Sequence, residues 1–350
     1  TNIGHQHPKV VAAIQEQAAR LCTIAPQHAN DVRGEAARLI TSKAPDGFTH
    51  VFFTNGGAEA VENAVRMARL HTGRQKVLTR YRSPFHSHTD EEETERALHH
   101  LEQTIRFEGP NTIAAVMLET IPGTAGIMPP PPGYLAGVRE ICDRFGILLI
   151  LDEVMAGFGR AGSWFAFDHY DVRPDLITFA KGVNSGYVPL GGVIISEPVV
   201  ETFTERVYPG GLTYSGHPLA CAAAVATITA MEEEGIVTHA RRIGDEVLGP
   251  GLAALAERHP VIGEARGIGV FWALDLVKNR ETKEEIAPYG GTSEAMSTLL
   301  GGLKRRGVLP FANYHRLHVV PPCTISETEA KEALAILDDA LGDIAGYYEG

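Results

Sequence analysis

Several features are scarce or missing in this sequence. No apolar run reaches the length of a membrane span. Charge, glycine or proline, or threonine within 219–231, breaks the apolar runs within about eight residues, the length of buried strands. There is no basic block. Lys and Arg number 31 against 43 Asp and Glu, a net charge of −12, which argues against a nucleic-acid partner. Cysteine is sparse, and the four (Cys22, Cys142, Cys221, Cys323) show no paired spacing. They read as reduced core residues of a cytoplasmic protein, with no disulfide framework or zinc site expected. Internal repeats and low-complexity tracts are absent. The run Pro129-Pro130-Pro131-Pro132 reads as a stiff loop before a helix. No signal peptide is legible. The chain opens in mid-motif at Thr1, so a longer natural N-terminus is expected and targeting stays open.

What is present is an ordinary globular composition, 44% hydrophobic and 21% charged, on 350 residues. That length is too great for one simple core, so two lobes are expected. The spacing predicts a helix over 8–21. From about residue 49 strands and helices alternate. Strands are predicted over 49–55, 75–80, 113–119, 147–152, 176–180 and 193–196, and helices over 58–71, 90–107 and 133–145. The strand runs are nearly continuous in apolar residues, as in a parallel sheet covered on both faces. An Ala-rich helix over 218–234 ends at Gly235, a C-cap glycine. Beyond it the rhythm changes to helices flanking an alternating strand at 270–277. A last strand at 316–320 precedes a capping box, Ser326 to Glu329. The expected fold class is α/β: a large doubly wound, mostly parallel sheet domain over 22–242, plus a smaller α+β domain from 1–21 and 243–350. The N-terminal segment is expected to complete the small domain's sheet.

Two strand runs end in ionisable groups. Residues 147–151 lead into Asp152-Glu153, and residues 176–180 lead into Lys181-Gly182. In open α/β sheets ligands bind at the carboxyl ends of strands. An amine and a carboxylate held there are what a pyridoxal-phosphate enzyme needs. The amine forms a Schiff base with the aldehyde, and the carboxylate keeps the pyridine nitrogen protonated. Each residue has a plainer reading. Asp152 fits a helix cap or a surface ion pair, and Lys181 a solvated surface amine. The flanks Phe179-Ala180 and Gly182-Val183 point instead to a partly buried amine. Val154 is expected beside the ring. Thr54-Asn55-Gly56-Gly57-Ala58 is either a plain strand–helix turn or a phosphate cradle made of N–H groups at a helix start. Thr213, ahead of Pro218, is either a helix cap or a hydroxyl offered to phosphate.

Together these stretches resemble the class III aminotransferases, the ω-aminotransferase branch of fold type I pyridoxal-phosphate enzymes. The matching text includes Gly4-His5 with His7-Pro8, then Gly57 to Glu62, Asp152-Glu153-Val154 through Gly159-Arg160, and Pro174-Asp175 to Lys181-Gly182. Gly186 to Gly191 and Thr213 to Pro218 follow in the family's order. The resemblance implies pyridoxal 5'-phosphate, a large cofactor domain, a small domain from both chain ends, and a homodimer with active sites at the interface. It implies that Lys181 carries the imine and Asp152 pairs with the ring nitrogen. It further implies that Gly57 and Ala58, beside Gly56, hold the phosphate from one subunit while Thr213 reaches it from the other.

The departures are equally informative. The family carries an aromatic-His-Gly segment soon after the strand ending near Arg80, and its aromatic ring stacks on the cofactor. Here Tyr81-Arg82-Ser83-Pro84-Phe85 runs almost directly into the acidic helix. The stretch is too short for the usual intervening strand and helix, so a family segment is expected to be missing between about Arg82 and Phe85; Phe85-His86 lacks the glycine and is a poor substitute. Relatives acting on glutamate often carry a gating Glu where Thr124 stands. Its absence favours ω-amino donors such as β-alanine or taurine. On the strand 316–320, His318 takes the place of the family's substrate arginine. Arg316 lies two residues earlier, on the same side of the strand. It is either a carboxylate or sulfonate ligand or an arginine on the small-domain surface. The pairs His86/His88 and His99/His100 lack carboxylate or cysteine support, so no metal is expected. Trp164 and Phe165 read as packing residues.

The expected activity is transfer of an amino group from an amine or ω-amino acid to pyruvate or 2-oxoglutarate in two half-reactions, with Lys181 as general base and acid. The alternatives are an aminomutase or racemase of the same fold, a catalytically inactive cofactor-binding dimer, and a nucleotide-binding α/β protein using Gly56-Gly57.

Overall fold

The structure is a computed structural model that describes residues 1–80 and 89–350. Residues 81–88 lie outside the described residues, and with them the expected missing family segment, the Phe85-His86 substitute and the pair His86/His88. The chain divides into two compact units. The first comprises Thr1–Thr120, Pro130–Gly159 and Ser163–Ile236, and the second Ile121–Pro129, Arg160–Gly162 and Val237–Gly350. This division differs from the expected one at the N-terminus. Residues 1–21 group with the first unit because helix α1 (Pro8–Arg20) packs on α7 (Pro218–Glu233) of that unit. Among the described residues no N-terminal strand joins the second unit's sheet.

The first unit is built on β1 (Phe48–Thr54), β2 (Lys76–Leu78), β3 (Ile113–Glu119), β4 (Leu148–Asp152), β5 (Leu176–Phe179) and β6 (Gly191–Ser196), in the order β1-β6-β5-β4-β3-β2. Strands β2 to β5 pair in parallel, whereas β6 is antiparallel to both β5 and β1. So β1 points the same way as β2 to β5, and the carboxyl ends of β1, β3, β4 and β5 share one edge. The sheet is parallel-rich as expected, and β6 alone runs against it. Helices α2 (Asp31–Thr41), α3 (Gly57–Thr72), α4 (Asp90–Glu108), α5 (Tyr134–Phe145) and α6 (Glu197–Glu201) complete the unit with α1 and α7. Small side chains let α3 lie close to the sheet: Ala60, Ala64, Met67 and Ala68 pack with Ala114, Ala115, Ile150, Leu176 and Val193 in one buried cluster. Helix α4 opens on Thr89, whose side chain accepts from Glu92 N–H, ahead of four acidic residues that suit the positive end of the helix dipole.

The second unit has β7 (Ile262–Ile268), β8 (Phe271–Asn279), β9 (Glu284–Glu285), β10 (Phe311–Asn313) and β11 (Arg316–Val319), with order β10-β11-β8-β7 and β9 on β8. Its helices are α8 (Ile236–Ile243), α9 (Gly249–Arg258), α10 (Glu294–Arg305) and α11 (Glu327–Gly342). The expected capping box at Ser326 and Glu329 opens α11. One sheet face is apolar: Leu274, Leu276 and Leu317 join Leu299, Leu303, Leu337 and Leu341 in the core. The register fixes the other face. Arg316 lies opposite Asp275 and Asp275 opposite Glu264, while His318 lies opposite Ala273 and Ala273 opposite Arg266. Alternation along strands therefore sets two arginines, a histidine and two acids on one surface. A register shift between Ile262 and Glu264 keeps Ile262 in the core while Glu264 and Arg266 face away from it. Among the described residues no helix is long and apolar enough to cross a membrane. Cys142, Cys221 and Cys323 are buried and free, whereas Cys22, expected in the core, is exposed.

Candidate active site

The shared strand edge of the first unit gathers three segments. After β1 the chain turns through Gly56, whose extended φ of 177° any residue can adopt, into α3. No side chain caps this helix start, so its first N–H groups are open to an anion. Gly57 is required by packing. A Cβ there would stand 2.8 Å from Val154 Cγ1 and 3.0 Å from Cγ2. The turn after β1 therefore presses on the turn after β4, two residues past Asp152. Gly191, at the start of β6, plays the same part for its neighbours. A Cβ there would meet the Gly56 carbonyl carbon at 2.7 Å and the Phe179 carbonyl oxygen at 2.9 Å. Gly56, Gly57 and Ala58 thus sit beside the ends of both β4 and β5.

Asp152 closes β4, half-buried, and its Oδ1 accepts from Val154 N–H at 2.8 Å. It is neither a helix cap nor a surface ion pair. Burial raises its carboxyl above the ordinary range, and the charge of Glu119, opposite it on β3, pushes the same way. The Val154 N–H and the Lys181 ammonium pull in the opposite direction. Such a carboxyl has high proton affinity and faces a neighbouring cation, which suits sharing a proton with a pyridine nitrogen.

Lys181 follows β5 in a short 3-10 turn, Lys181–Asn184. Its backbone is left-handed, φ +38°, a conformation that costs a side-chain-bearing residue about 1–3 kcal/mol and persists only where the surroundings fix it. The expected partial burial of the amine is not found. Residues 182–184 turn inward and are buried, while Lys181 is exposed. Thr213 is exposed as well. It is not a helix cap, since His217 holds the N-cap position and Pro218 the first turn of α7.

Two features escaped sequence reading. Glu153 is fully buried and accepts from Thr120 Oγ1 at 2.6 Å, Ala166 N at 2.9 Å and Phe167 N at 3.1 Å. Burial pushes its carboxyl up to about 8 against those three donors. It anchors the loop that follows Asp152. The signal was the second carboxylate of Asp152-Glu153, which strand alternation sends to the opposite face. The other feature is Arg266. Phe165 is a packing residue, stacked on Phe167 with centroids 5.3 Å apart, and Trp164 lies under Lys43. His99 and His100 are exposed on α4.

Arg316 belongs to the second unit and is no surface arginine: it is 1% exposed. Its Nε lies 3.2 Å from Asp275 Oδ1 and its Nη2 3.9 Å from Glu285 Oε1, both ion pairs without a hydrogen bond. Arg266 bonds Asp275 at 2.8 Å, Glu264 at 2.6 Å and the Gly126 carbonyl at 3.0 Å, yet its Nη2 has no hydrogen-bond partner. His318 is buried with both ring nitrogens unpartnered, its ring edge-on to Phe311. Buried donors of this kind ordinarily have partners, so the cluster is suited to an anion.

The residues of the first unit fit pyridoxal phosphate. The uncapped helix start and the close approach of Gly57 suit the phosphate, the raised Asp152 suits the ring nitrogen, and Lys181 offers an open amine. Comparison with known proteins points the same way. A family model described as "Aminotransferase class-III" matches residues 1–92 and 78–341. The two matches overlap across the stretch where the sequence departs from the family pattern. The chain is 35% identical over 360 residues to an acetylornithine aminotransferase of Methanopyrus kandleri, covering 97% of this chain and 86% of that protein. It is 31% identical over 395 residues to a taurine–pyruvate aminotransferase of Bilophila wadsworthia, covering 97% and 85%. Among solved structures, a taurine:2-oxoglutarate aminotransferase of Bifidobacterium kashiwanohense, in complex with pyridoxal phosphate and glutamate, superposes with a TM-score of 0.95. It is 39% identical, covering 99% of this chain and 87% of that one.

Proposed function

The chain belongs to the class III aminotransferases, and from that premise we propose which of its residues perform amino transfer and which donors it takes. It is a pyridoxal-phosphate-dependent aminotransferase. The cofactor, when bound, supplies an aldehyde carbon for the incoming amine and a cationic ring that accepts electrons. Asp152 holds the proton on the ring nitrogen. Gly56, Gly57 and Ala58 would offer the α3 N–H groups to the phosphate, and Val154 would stand beside the ring. Lys181 Nζ would hold the cofactor at rest and, when free, would take the donor's α-proton and keep it for return. Its exposure leaves the amine free to swing between these tasks. One observation carries the assignment: parallel β1, β4 and β5 deliver Gly56 to Ala58, Asp152 and Lys181 to a single edge.

The second subunit is the other part of the proposal. Thr213 is exposed, and it is flanked by exposed Tyr214 and, further back, Val207. A homodimer would cover these apolar groups and bring Thr213 to the partner's phosphate.

For substrate we propose an ω-amino acid donor, a carboxylate or a sulfonate, with pyruvate or 2-oxoglutarate as acceptor. Thr124 stands where a gating acid is found in glutamate-specific relatives, and two of the relatives described above are named for taurine. Arg316, whose Nε and Nη2 face Asp275 and Glu285 as ion pairs without a hydrogen bond, is the proposed ligand for the donor's acid group. A donor panel tests this, read as alanine formed from pyruvate or glutamate from 2-oxoglutarate. Taurine and β-alanine should react, and Arg316→Met should raise their KM at least tenfold while sparing an uncharged arylalkylamine. Equal losses with charged and uncharged donors would remove Arg316 from the substrate site. An amino-acid product that forms without any added acceptor would favour the aminomutase or racemase reading.

A further inference from the structure

The left-handed backbone of Lys181 is not fixed by its own turn alone. Three separate segments interlock at the next residue, Gly182. A Cβ there would stand 2.6 Å from Asn2 Nδ2, 2.8 Å from Phe158 Cβ and 3.2 Å from the Gly157 carbonyl oxygen. Phe158 and Gly157 lie in the loop after Asp152, and Phe158 is itself left-handed, φ +56°. Asn2 is 6% exposed, and its amide donates to the Phe158 carbonyl at 2.7 Å. The next residue, Ile3, is 3% exposed, and its N–H donates to Ser185 Oγ at 3.1 Å. Ser185 is left-handed too, φ +57°, and closes the turn that begins at Lys181. Further along, the Tyr187 hydroxyl donates to the Gly4 carbonyl at 3.1 Å and accepts from His7 N–H at 2.6 Å. Residues 2–7 are therefore stitched to residues 182–187 at three points and to the Asp152 loop at one.

We propose that Asn2 is a positioning residue that ties the loop after Asp152 to the turn carrying Lys181, with Ile3 as the second fastening, so that the amine is presented in one backbone conformation. The proposal rests on Lys181 being the reacting amine. Asn2 is assigned a holding role and no chemical step. It acts by holding Gly182 and Phe158 together, and only a donor in its amide position can do so.

Asn2→Asp is the discriminating variant. It keeps the shape, but an ionised carboxylate cannot donate to the Phe158 carbonyl. Ser185→Ala is a second, milder variant that removes the acceptor for Ile3. Hydrogen exchange followed by mass spectrometry on the cofactor-free chain gives a readout independent of turnover. Asn2→Asp should speed exchange of the amides at 182–187 at least tenfold and leave 113–118 in β3 unchanged. Ser185→Ala should do the same to a smaller degree. In the cofactor-loaded enzyme kcat should fall tenfold or more, with KM for the acceptor within twofold. Unchanged exchange at 182–187, or equal acceleration in β3, would overturn the proposal, the latter by showing that Asn2 merely stabilises the fold. Borohydride trapping on the wild-type chain separates the two assignments. Label absent from Lys181 would sink the reading of the amine and this proposal with it. Label present, together with wild-type behaviour of Asn2→Asp, would sink this proposal alone.

Discussion

Gly56 and Gly57 are adjacent in the sequence and look interchangeable there, yet the structure separates them. A Cβ on Gly56 meets nothing within 4 Å, and its φ of 177° suits any residue. A Cβ on Gly57 would be driven into both methyl groups of Val154. Overpacking of this kind costs about 1–3 kcal/mol. Gly57→Ala should therefore destabilise the cofactor-free protein by about that amount, while Gly56→Ala stays near neutral. Shortening the neighbour should relieve the strain, so Gly57→Ala with Val154→Ala should be less destabilised than the sum of the two single changes. Urea unfolding of the four variants measures this. Additive losses would mean that the two turns do not press on each other. Because Val154 follows Asp152 by two residues, cofactor affinity should weaken most in Gly57→Ala. Lys181 shows the limit of sequence at this scale. Its place at a strand end was legible, but its apolar flanks suggested a buried amine. The left-handed turn sends it outward instead, and φ is not written in the flanking residue types.

At the scale of the element, β11 carries the most consequential alternation. Leu317 turns into the core, and Arg316 and His318 turn to the charged face. Burial pushes His318 down to about 4, and the charge of Arg266 acts in the same direction while Asp275 opposes it. The unfolded histidine binds its proton near 6.5 and the folded one only near 4, so the unfolded state holds more protons between these values. Stability is then whole above about 6.5 and is lost as pH falls towards 4, by on the order of 2–3 kcal/mol at pH 4.5. Chemical unfolding at pH 7 and pH 4.5 should show the wild type losing that much more than His318→Leu. Parallel losses would mean His318 is not held neutral. Other elements were legible to differing degrees. The long apolar strands β3, β4 and β5, and the helices α1, α3, α4, α5 and α7, appear within one or two residues of their expected ends, whereas α2 was not foreseen. β7 was missed because Ile262–Ile268 contains two glycines and three charged or small residues in place of alternating apolar ones. The reversed direction of β6 was legible in principle. Residues 180–190 are too few for a parallel crossover, which needs a dozen or more and usually a helix.

At the scale of the whole molecule, the proposed dimer makes each reaction centre draw on two chains. Lys181 and Asp152 sit together at one edge of the first unit, whereas Thr213 is exposed with Tyr214 63% and Val207 89% exposed nearby. If the dimer proposed above forms, a site holds Lys181 from one subunit and Thr213 from the other. Two dead variants then make a live enzyme. Lys181→Ala removes the amine, and Thr213→Glu sets a like charge beside the phosphate. Each alone should be inactive, Lys181→Ala with no yellow chromophore. Unfolded together in equal amounts and refolded with cofactor, they pair at random, and half the dimers are mixed. In a mixed dimer one site carries both lesions and the other carries neither, so about a quarter of wild-type activity should return. Were Thr213 to serve its own chain's cofactor, each site of the mixed dimer would keep one lesion and no activity would return. The same mixture at rising dilution should lose activity as dimers part, at a protein concentration matching their dissociation by sedimentation.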